Sequence, residues 1–233
     1  MLYEFLKPLA VQLMRWMFDL STVGGHHIPA TGPVLLVSNH SSVLDPPLVG
    51  GAAARQLSFL AKAELFEIPG FGRLIRSLNA RPLRREGADA SALREALRML
   101  GEGRALLVFP EGTRGPEGEL RVPKAGAGML AVLSGAPVVP VYISGSGQAW
   151  PRGRRFPRRS RVTVTFGPPL VLEGRETATR RERYAEATRA MMAAIAHLRD
   201  QVTGTAAADR LPLQDVQAMG GAGATAQSPT HNT

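Results

Sequence analysis

Short apolar runs bounded by glycine, proline and polar residues recur along this chain. Four of them are rich in leucine and β-branched residues and predict buried strands over residues 34–37, 57–61, 105–109 and 138–143. A fifth segment, residues 161–166, alternates apolar with polar positions, which is typical of a strand with one buried face.

Helical periodicity appears between and after these strands. In residues 89–100 the apolar positions recur at intervals of three and four, which predicts a helix that begins at Asp89 or Ser91 and stops at Gly101. A short helix is predicted over residues 129–133 and a long one over 179–201. Strands separated by helices indicate an α/β fold.

The N-terminal segment, residues 1–20, is rich in Leu, Met, Trp and Phe but carries charges near both of its ends. This pattern predicts an amphipathic, membrane-associating helix, although a helix that covers the domain's own core fits it as well. No small-residue cleavage site follows, so we expect no signal peptide.

Two other stretches bear on the organisation of the chain. The uncharged run between Lys124 and Arg152 is long enough to cross a membrane, but its glycines and prolines interrupt it, so no span is predicted. Residues 204–233 shift to Gly, Ala, Thr and Gln without periodicity, which predicts a disordered tail. The folded domain is therefore expected over residues 21–203.

The amino-acid composition limits the kinds of functional site that the chain can form. The chain has 233 residues, of which 44% are hydrophobic and none is cysteine. The lack of cysteine excludes disulfides, thiol nucleophiles and Cys-ligated metal sites. The formal charge of +9 comes from 28 Lys+Arg against 19 Asp+Glu, and nearly all of the positive residues are arginine. Because the guanidinium group binds phosphate well, the composition is compatible with three kinds of binding partner: nucleic acid, an anionic membrane surface or a phosphorylated substrate.

The first predicted strand leads directly into Asn-His-Ser-Ser-Val-Leu-Asp, residues 39–45. A histidine just beyond the end of a strand, with an acid five residues later, could form a general base and the carboxylate that orients it. The alternative is that Asp45, which stands before Pro46, caps a helix. Adjacent His26 and His27 have no cysteine or clustered acids nearby, so we predict no metal site there.

The strand over 105–109 leads into Phe-Pro-Glu-Gly-Thr-Arg, residues 109–114. If the two strands are parallel, this loop and the His40 loop leave the sheet at the same edge, as a shared site requires. Arg114 could then bind phosphate and Glu111 could orient it or the acceptor. A surface Glu–Arg pair around a turn is the alternative.

Together these segments resemble the glycerolipid acyltransferases, the family that acylates glycerol-3-phosphate and 1-acylglycerol-3-phosphate. Residues 39–45 resemble the family's HxxxxD block and residues 109–114 its EGTR block. Residues 62–72 resemble the segment that leads to a phosphate-binding arginine, and residues 136–141 resemble the late proline block. The likeness covers residues 34–143, and four blocks in the family's order are far more specific than any one.

The resemblance implies a glycerol-3-phosphate acyltransferase-like fold, with a mostly parallel or mixed sheet flanked by helices. It implies that His40 is the general base and that Asp45 fixes its tautomer. An acceptor hydroxyl deprotonated by His40 would attack an acyl thioester directly, without an acyl-enzyme. It further implies a substrate-binding set composed of Arg85, Glu111, Gly112, Thr113, Arg114 and Lys124.

Within that set, Arg85 best fits the phosphate-binding arginine, and Lys124 aligns with a frequent lysine of the family. Residues 81–85 depart from the family pattern, because Arg81 and Arg84 stand where relatives commonly carry hydrophobic and acidic residues. Several neighbouring arginines therefore compete for the role of phosphate ligand.

The implied reaction moves a fatty acyl group from acyl-CoA or acyl carrier protein to lysophosphatidate and gives phosphatidate. It needs no metal or redox cofactor. The expected location is peripheral, on the cytoplasmic side of the cell membrane. Alternative acceptors are another lysophospholipid or an amino-lipid, and a non-catalytic basic module that binds membranes or nucleic acid is the alternative of a different class.

A second concentration of positive charge lies between Trp150 and Arg161, without a single acid. Its six members are Arg152, Arg154, Arg155, Arg158, Arg159 and Arg161. Arginines beside aromatic residues suit an anionic membrane surface. The same composition suits RNA, but no RNA-binding motif accompanies it, so no nucleic-acid partner is expected. A solvated charged loop is the remaining alternative.

Overall fold

A seven-stranded sheet forms the centre of the protein, described here from a computed structural model that covers residues 11–77, 79–83, 88–172 and 179–208. The strands are β1 (Ser21–Val23), β2 (Val34–Ser38), β3 (Leu57–Lys62), β4 (Ala80–Leu83), β5 (Ala105–Val108), β6 (Val138–Ser144) and β7 (Thr163–Phe166). The helices are α1 (residues 11–18), α2 (Asp45–Ala52), α3 (Phe71–Ser77), α4 (Ala88–Gly101), α5 (Gly126–Ser134), α6 (Ser146–Ala149) and α7 (Arg180–Ala208).

The order of strands across the sheet is β1-β7-β6-β2-β5-β3-β4. Strands β6, β2, β5, β3 and β4 are mutually parallel. Strand β7 pairs with β6 antiparallel, and β1 pairs with β7 parallel. The α/β class and the mostly parallel sheet flanked by helices are confirmed.

The core lies around the central strands, and every residue of β2 is buried. A strand buried on both faces reads as a continuous apolar run, which is why the pattern of residues 34–37 identified it. Leu48 and Val49 of α2 belong to the same core cluster. On the N-terminal side, Phe18 is buried in this core, and Met14 packs against it.

Predicted and observed elements differ mainly at their ends. Helix α4 begins at Ala88, so neither Asp89 nor Ser91 stands before it as the predicted cap. Strands β1 and β4 and helices α3 and α6 were not predicted, since each is short and has little periodicity of its own, and a helix at α2 was considered only in the alternative in which Asp45 caps it. For these elements, tertiary packing determines the secondary structure more than local sequence propensity does.

Helix α7 continues to Ala208, so its predicted end at residue 201 is wrong. The first residues of the predicted tail, 204–208, are helical, because three consecutive alanines at 206–208 favour a helix strongly enough to outweigh Gly204. Residues 209–233 lie outside the described residues. The residues up to Arg199 form one compact unit, and those from Asp200 belong to a second.

In the described residues, no helix is both long enough and apolar enough to cross a bilayer.

Candidate active site

Three loops meet at one edge of the sheet because β2, β5 and β6 are parallel neighbours. Each strand ends at this edge, so the loop after β2, the loop after β5 and the turn after β6 leave the sheet side by side. The shared edge predicted for the His40 loop and the Glu111 loop is confirmed.

The His40 ring is held by Asp45, the first residue of α2. His40 Nδ1 lies 2.7 Å from Asp45 Oδ2, and the same oxygen accepts hydrogen bonds from the amides of Ser41 at 2.7 Å and Ser42 at 2.8 Å. Asp45 is fully buried, whereas 19% of the His40 side chain is exposed. A carboxylate with three donors on one oxygen fixes the imidazole, so Nε2 is the ring nitrogen that can take a proton from a hydroxyl.

Asp45 does not cap α2 in the way the alternative interpretation required. The position before the helix is occupied by Leu44, and no side chain caps the helix there. The Asp45 carboxylate turns back to the loop that precedes it, where Ser41 and Ser42 supply the amides. Its second oxygen, Oδ1, is buried.

The aromatic ring of Phe109 packs on one face of the His40 imidazole. Its ring stacks on that of His40 with centroids 4.1 Å apart. Phe109 begins the segment that resembles the EGTR block, and no role in the site was predicted for its side chain. The stacked pair limits rotation of the His40 ring.

Glu111 joins the loops through backbone hydrogen bonds. Its carboxylate is 3% exposed and accepts from the His40 amide at 3.2 Å and from the Arg121 amide at 3.1 Å. Burial raises the pKa of Glu111, and these two hydrogen bonds oppose that rise. The predicted alternative, a surface Glu–Arg pair, is wrong because the carboxylate is buried and bonds to main-chain amides.

The turn that follows Glu111 is lined by positive side chains. Gly112 has φ of +66°, a backbone conformation that favours glycine, and a Cβ there would lie 2.8 Å from Lys124 Cε, so the lysine stem packs directly against this turn. Arg121 donates from Nη1 to the Arg114 carbonyl at 3.3 Å. Thr113 is exposed at the same turn. Arginine and lysine gathered at one glycine turn can bind an anionic group.

The backbone of this turn is also tied to the catalytic loop. The Gly115 amide donates to the His40 carbonyl at 2.8 Å, and the Lys124 amide donates to the Pro110 carbonyl at 2.8 Å. The structure therefore brings His40, Asp45 and the residues from Glu111 to Arg114 into one connected unit.

Arg85 lies outside the described residues. Its neighbour Arg81 is described: it is exposed on β4, at the edge of the sheet furthest from β6. Sequence reasoning missed three residues that contact the loops of the site, namely Asn39, Glu117 and Arg121. Each acts through backbone hydrogen bonds, which no spacing or composition in the chain signals.

Comparisons with known proteins agree with the motifs and with the geometry of the site. The sequence model of the Acyltransferase family matches residues 20–144. The 1-acyl-sn-glycerol-3-phosphate acyltransferase of Bacillus subtilis is 28% identical over 203 residues, which cover 86% of this chain and 98% of that one. Its counterpart in Streptococcus pneumoniae is 30% identical and covers 78% of this chain and 70% of its own.

The similarity extends to a longer plant relative and to a solved structure. The chain is 29% identical to the chloroplastic 1-acyl-sn-glycerol-3-phosphate acyltransferase BAT2 of Brassica napus, but spans only 45% of that protein. The crystal structure of the 1-acyl-sn-glycerophosphate (LPA) acyltransferase PlsC from Thermotoga maritima superposes with a TM-score of 0.74 at 30% identity, covering 86% of this chain and 79% of that one. A family match over more than half of the chain, together with a shared fold at this identity, shows that the chain belongs to the acyltransferase family.

Proposed function

We propose that this acyltransferase moves a fatty acyl group from acyl-CoA or acyl carrier protein to the sn-2 hydroxyl of 1-acylglycerol-3-phosphate, giving phosphatidate. The observation that carries the proposal is the pair formed by His40 and buried Asp45, set beside a positively charged glycine turn. Relatives whose names state this activity cover most of the chain.

His40 is the general base of the proposed reaction. With Nδ1 bonded to Asp45, Nε2 takes the proton of the acceptor hydroxyl, and the hydroxyl oxygen attacks the thioester carbon. The tetrahedral intermediate then expels the thiolate of the donor, and the imidazolium returns the proton to that sulfur. An ester forms as the thioester breaks. Because the chain has no cysteine, no protein thiol carries the acyl group.

Arg114 and Lys124 bind the acceptor phosphate in this scheme, with Gly112 and Thr113 lining the turn that carries it and Arg85 as a further phosphate ligand. Glu111 is part of the same proposed site. Its two backbone hydrogen bonds assign it the role of holding the loop that binds the acceptor.

The proposed enzyme works as a peripheral protein on the cytoplasmic side of the cell membrane. Helix α1 packs Met14 and Met17 against the core but leaves Leu13 53% and Trp16 65% exposed on its outer side. Over residues 11–18, an inner face that covers the core and an outer face with an exposed aromatic residue support a helix that both packs on the domain and meets a membrane surface.

The arginine-rich loop lies beside this helix. The Arg159 guanidinium is 5.1 Å from the Trp16 ring centroid and donates to the Trp16 carbonyl at 3.3 Å, and Arg161 pairs with Asp19 at 2.8 Å. Phe156 is 69% exposed in the same loop. Trp16 and Asp19 thus lie against the arginine-rich loop in one basic, aromatic surface that suits anionic headgroups. We further propose residues 21–203 as the catalytic domain and 204–233 as its tail.

A thioester-consumption assay over a panel of acceptors tests the function. Lysophosphatidate should be the preferred acceptor, and His40→Ala should lower kcat roughly 10²- to 10⁴-fold while the protein stays folded by circular dichroism. His197→Ala, a change at a histidine of α7, is the matched control. Full activity in His40→Ala would contradict the proposed mechanism. If another lysophospholipid or an amino-lipid were the preferred acceptor, the assignment of the acceptor would change. If no thioester were consumed with any acceptor, a non-catalytic binding module would be favoured.

A further inference from the structure

Glu117 lies in the loop after β5, six residues beyond Glu111, and the reaction scheme above gives it no part. Its carboxylate accepts hydrogen bonds from the Gly145 amide at 2.7 Å and from the Gly147 amide at 2.6 Å. The Gly145 amide lies in the turn after β6, and the Gly147 amide lies in the short helix α6 that follows it. One side chain thus joins the loop of the glycine turn to the neighbouring loop across the edge of the sheet.

This turn is in direct contact with the catalytic loop. A Cβ built at Gly147 would lie 2.7 Å from Glu117 Oε2 and 3.2 Å from Ser41 Cβ, so these three residues are packed with no spare space. Further along the same segment, the Trp150 carbonyl accepts a hydrogen bond from Ser42 Oγ at 3.3 Å. Ser41 and Ser42 are the residues whose amides hold the Asp45 carboxylate.

The electrostatic environment agrees with this geometry. Burial raises the pKa of Glu117, the Gly145 and Gly147 amides lower it, and the nearby charge of Asp45 raises it again. Glu117 and Asp45 are therefore close enough to influence each other.

We propose that Glu117 is a positioning residue that holds the His40–Asp45 pair in its reactive geometry. It does so by fixing the turn at residues 145–150 against Ser41 and Ser42. Glu111 and Glu117, two acids of one loop, then accept hydrogen bonds from four backbone amides, those of His40, Arg121, Gly145 and Gly147. The catalytic part of the proposal rests on the proposed function, whereas the geometric part does not.

The decisive variant is Glu117→Gln, which keeps the size of the side chain but replaces one acceptor oxygen with a donor that faces an amide. We expect kcat to fall roughly 10- to 100-fold with KM values nearly unchanged, because a displacement near 1 Å at a catalytic group costs this much. The proton shared by His40 Nδ1 and Asp45, observed by NMR, should shift and exchange faster. Glu119→Gln, an exposed acid two residues away, is the matched control and should resemble the wild type.

Gly147→Ala tests the same contact from its other side and stands in if Glu117→Gln does not fold. Its Cβ should push apart Glu117 and Ser41 and lower kcat selectively, whereas Gly50→Ala, where a Cβ meets nothing within 4 Å, should not. A wild-type kcat and an unshifted proton signal in either Glu117→Gln or Gly147→Ala would overturn the proposal. If the wild type failed to acylate lysophosphatidate, the proton signal would still report on the positioning role.

Discussion

At the scale of single residues, the acids of the site divide according to what they touch. Asp45 contacts the imidazole of His40, whereas Glu111 contacts only main-chain amides among the described residues. Burying a carboxylate costs desolvation free energy, but its hydrogen bonds with two main-chain amides hold two loops in place at once.

The raised pKa of Glu111 leads to a prediction for stability against pH. Its folded-state pKa lies above the ordinary value of 4.5, so the stability that it contributes is full below that pH and is lost as the pH rises through the raised pKa. Between about pH 4 and 7, the unfolding free energy of the wild type should therefore fall more steeply than that of Glu111→Gln. Urea unfolding at a series of pH values measures this, with Glu119→Gln as control. Parallel curves for wild type and Glu111→Gln would contradict it.

At the scale of elements, the site depends on the parallel strands that end together. Asn39, at the end of β2, links that strand to β6 through its side chain. Its Nδ2 donates to the Ile143 carbonyl at 2.9 Å, and its Oδ1 accepts from the Ile143 amide at 2.8 Å. An amide side chain that pairs with both main-chain groups of one residue acts as an extra rung between the two strands, directly before His40.

Asn39→Ala should therefore destabilise the fold. The change leaves the buried amide and carbonyl of Ile143 without their partner, which we expect to cost about 2–4 kcal/mol of unfolding free energy. Denaturant unfolding measures this cost. Ser21→Ala, which removes an exposed hydrogen bond to Thr163 at the edge of the sheet, is the control and should cost less than about 1 kcal/mol. Equal effects of the two changes would show that the Asn39 link carries no special weight.

At the scale of the whole molecule, two positively charged regions of the described residues adjoin different parts of the protein. One is the turn at Gly112, where Lys124 and Arg121 lie, and the other is the arginine-rich loop that contacts Trp16 of α1. Arg158 anchors this loop to α6 by donating to the Gln148 carbonyl at 2.8 Å. The proposed scheme therefore uses different groups of residues for binding substrate and for docking on lipid.

The docking surface predicts vesicle binding that depends on charge and salt. A triple change to glutamine at Arg152, Arg154 and Arg155 should weaken binding to vesicles of phosphatidylglycerol roughly 100-fold, at about 1 kcal/mol per basic residue. Cosedimentation measures this, and turnover of a soluble short-chain substrate should not change.

The matched control for this test is a triple change to glutamine at Arg180, Arg181 and Arg183, on the exposed start of α7. Both triple variants remove three positive charges from the formal +9, so a difference between them reports position and not net charge. Equal loss of binding in the two variants would contradict a specific docking surface.

Much of the fold could be predicted because local pattern and tertiary position agree in the central elements. Residues 34–37 and 138–143 are apolar throughout because they form strands buried on both faces. Helix α4 shows its periodicity because one face is buried and the other solvated. The short strands β1 and β4 lie at the edges of the sheet, where few residues make contacts, and their sequences carry no comparable pattern.

By itself, the sequence determined the α/β class, the main strands and the residues of the two motifs, since these depend on residue type and spacing along the chain. Only the tertiary structure decided that Asp45 turns away from its own helix, that Glu111 serves backbone amides and that Glu117 and Asn39 support the catalytic loop. The physical reason is that, apart from the local contacts of Asp45, these contacts join segments far apart in the chain: 71 residues separate His40 from Glu111, 104 separate Asn39 from Ile143, and 28 separate Glu117 from Gly145. They form only when parallel strands bring the ends of separate segments to one edge, and no local pattern records that meeting.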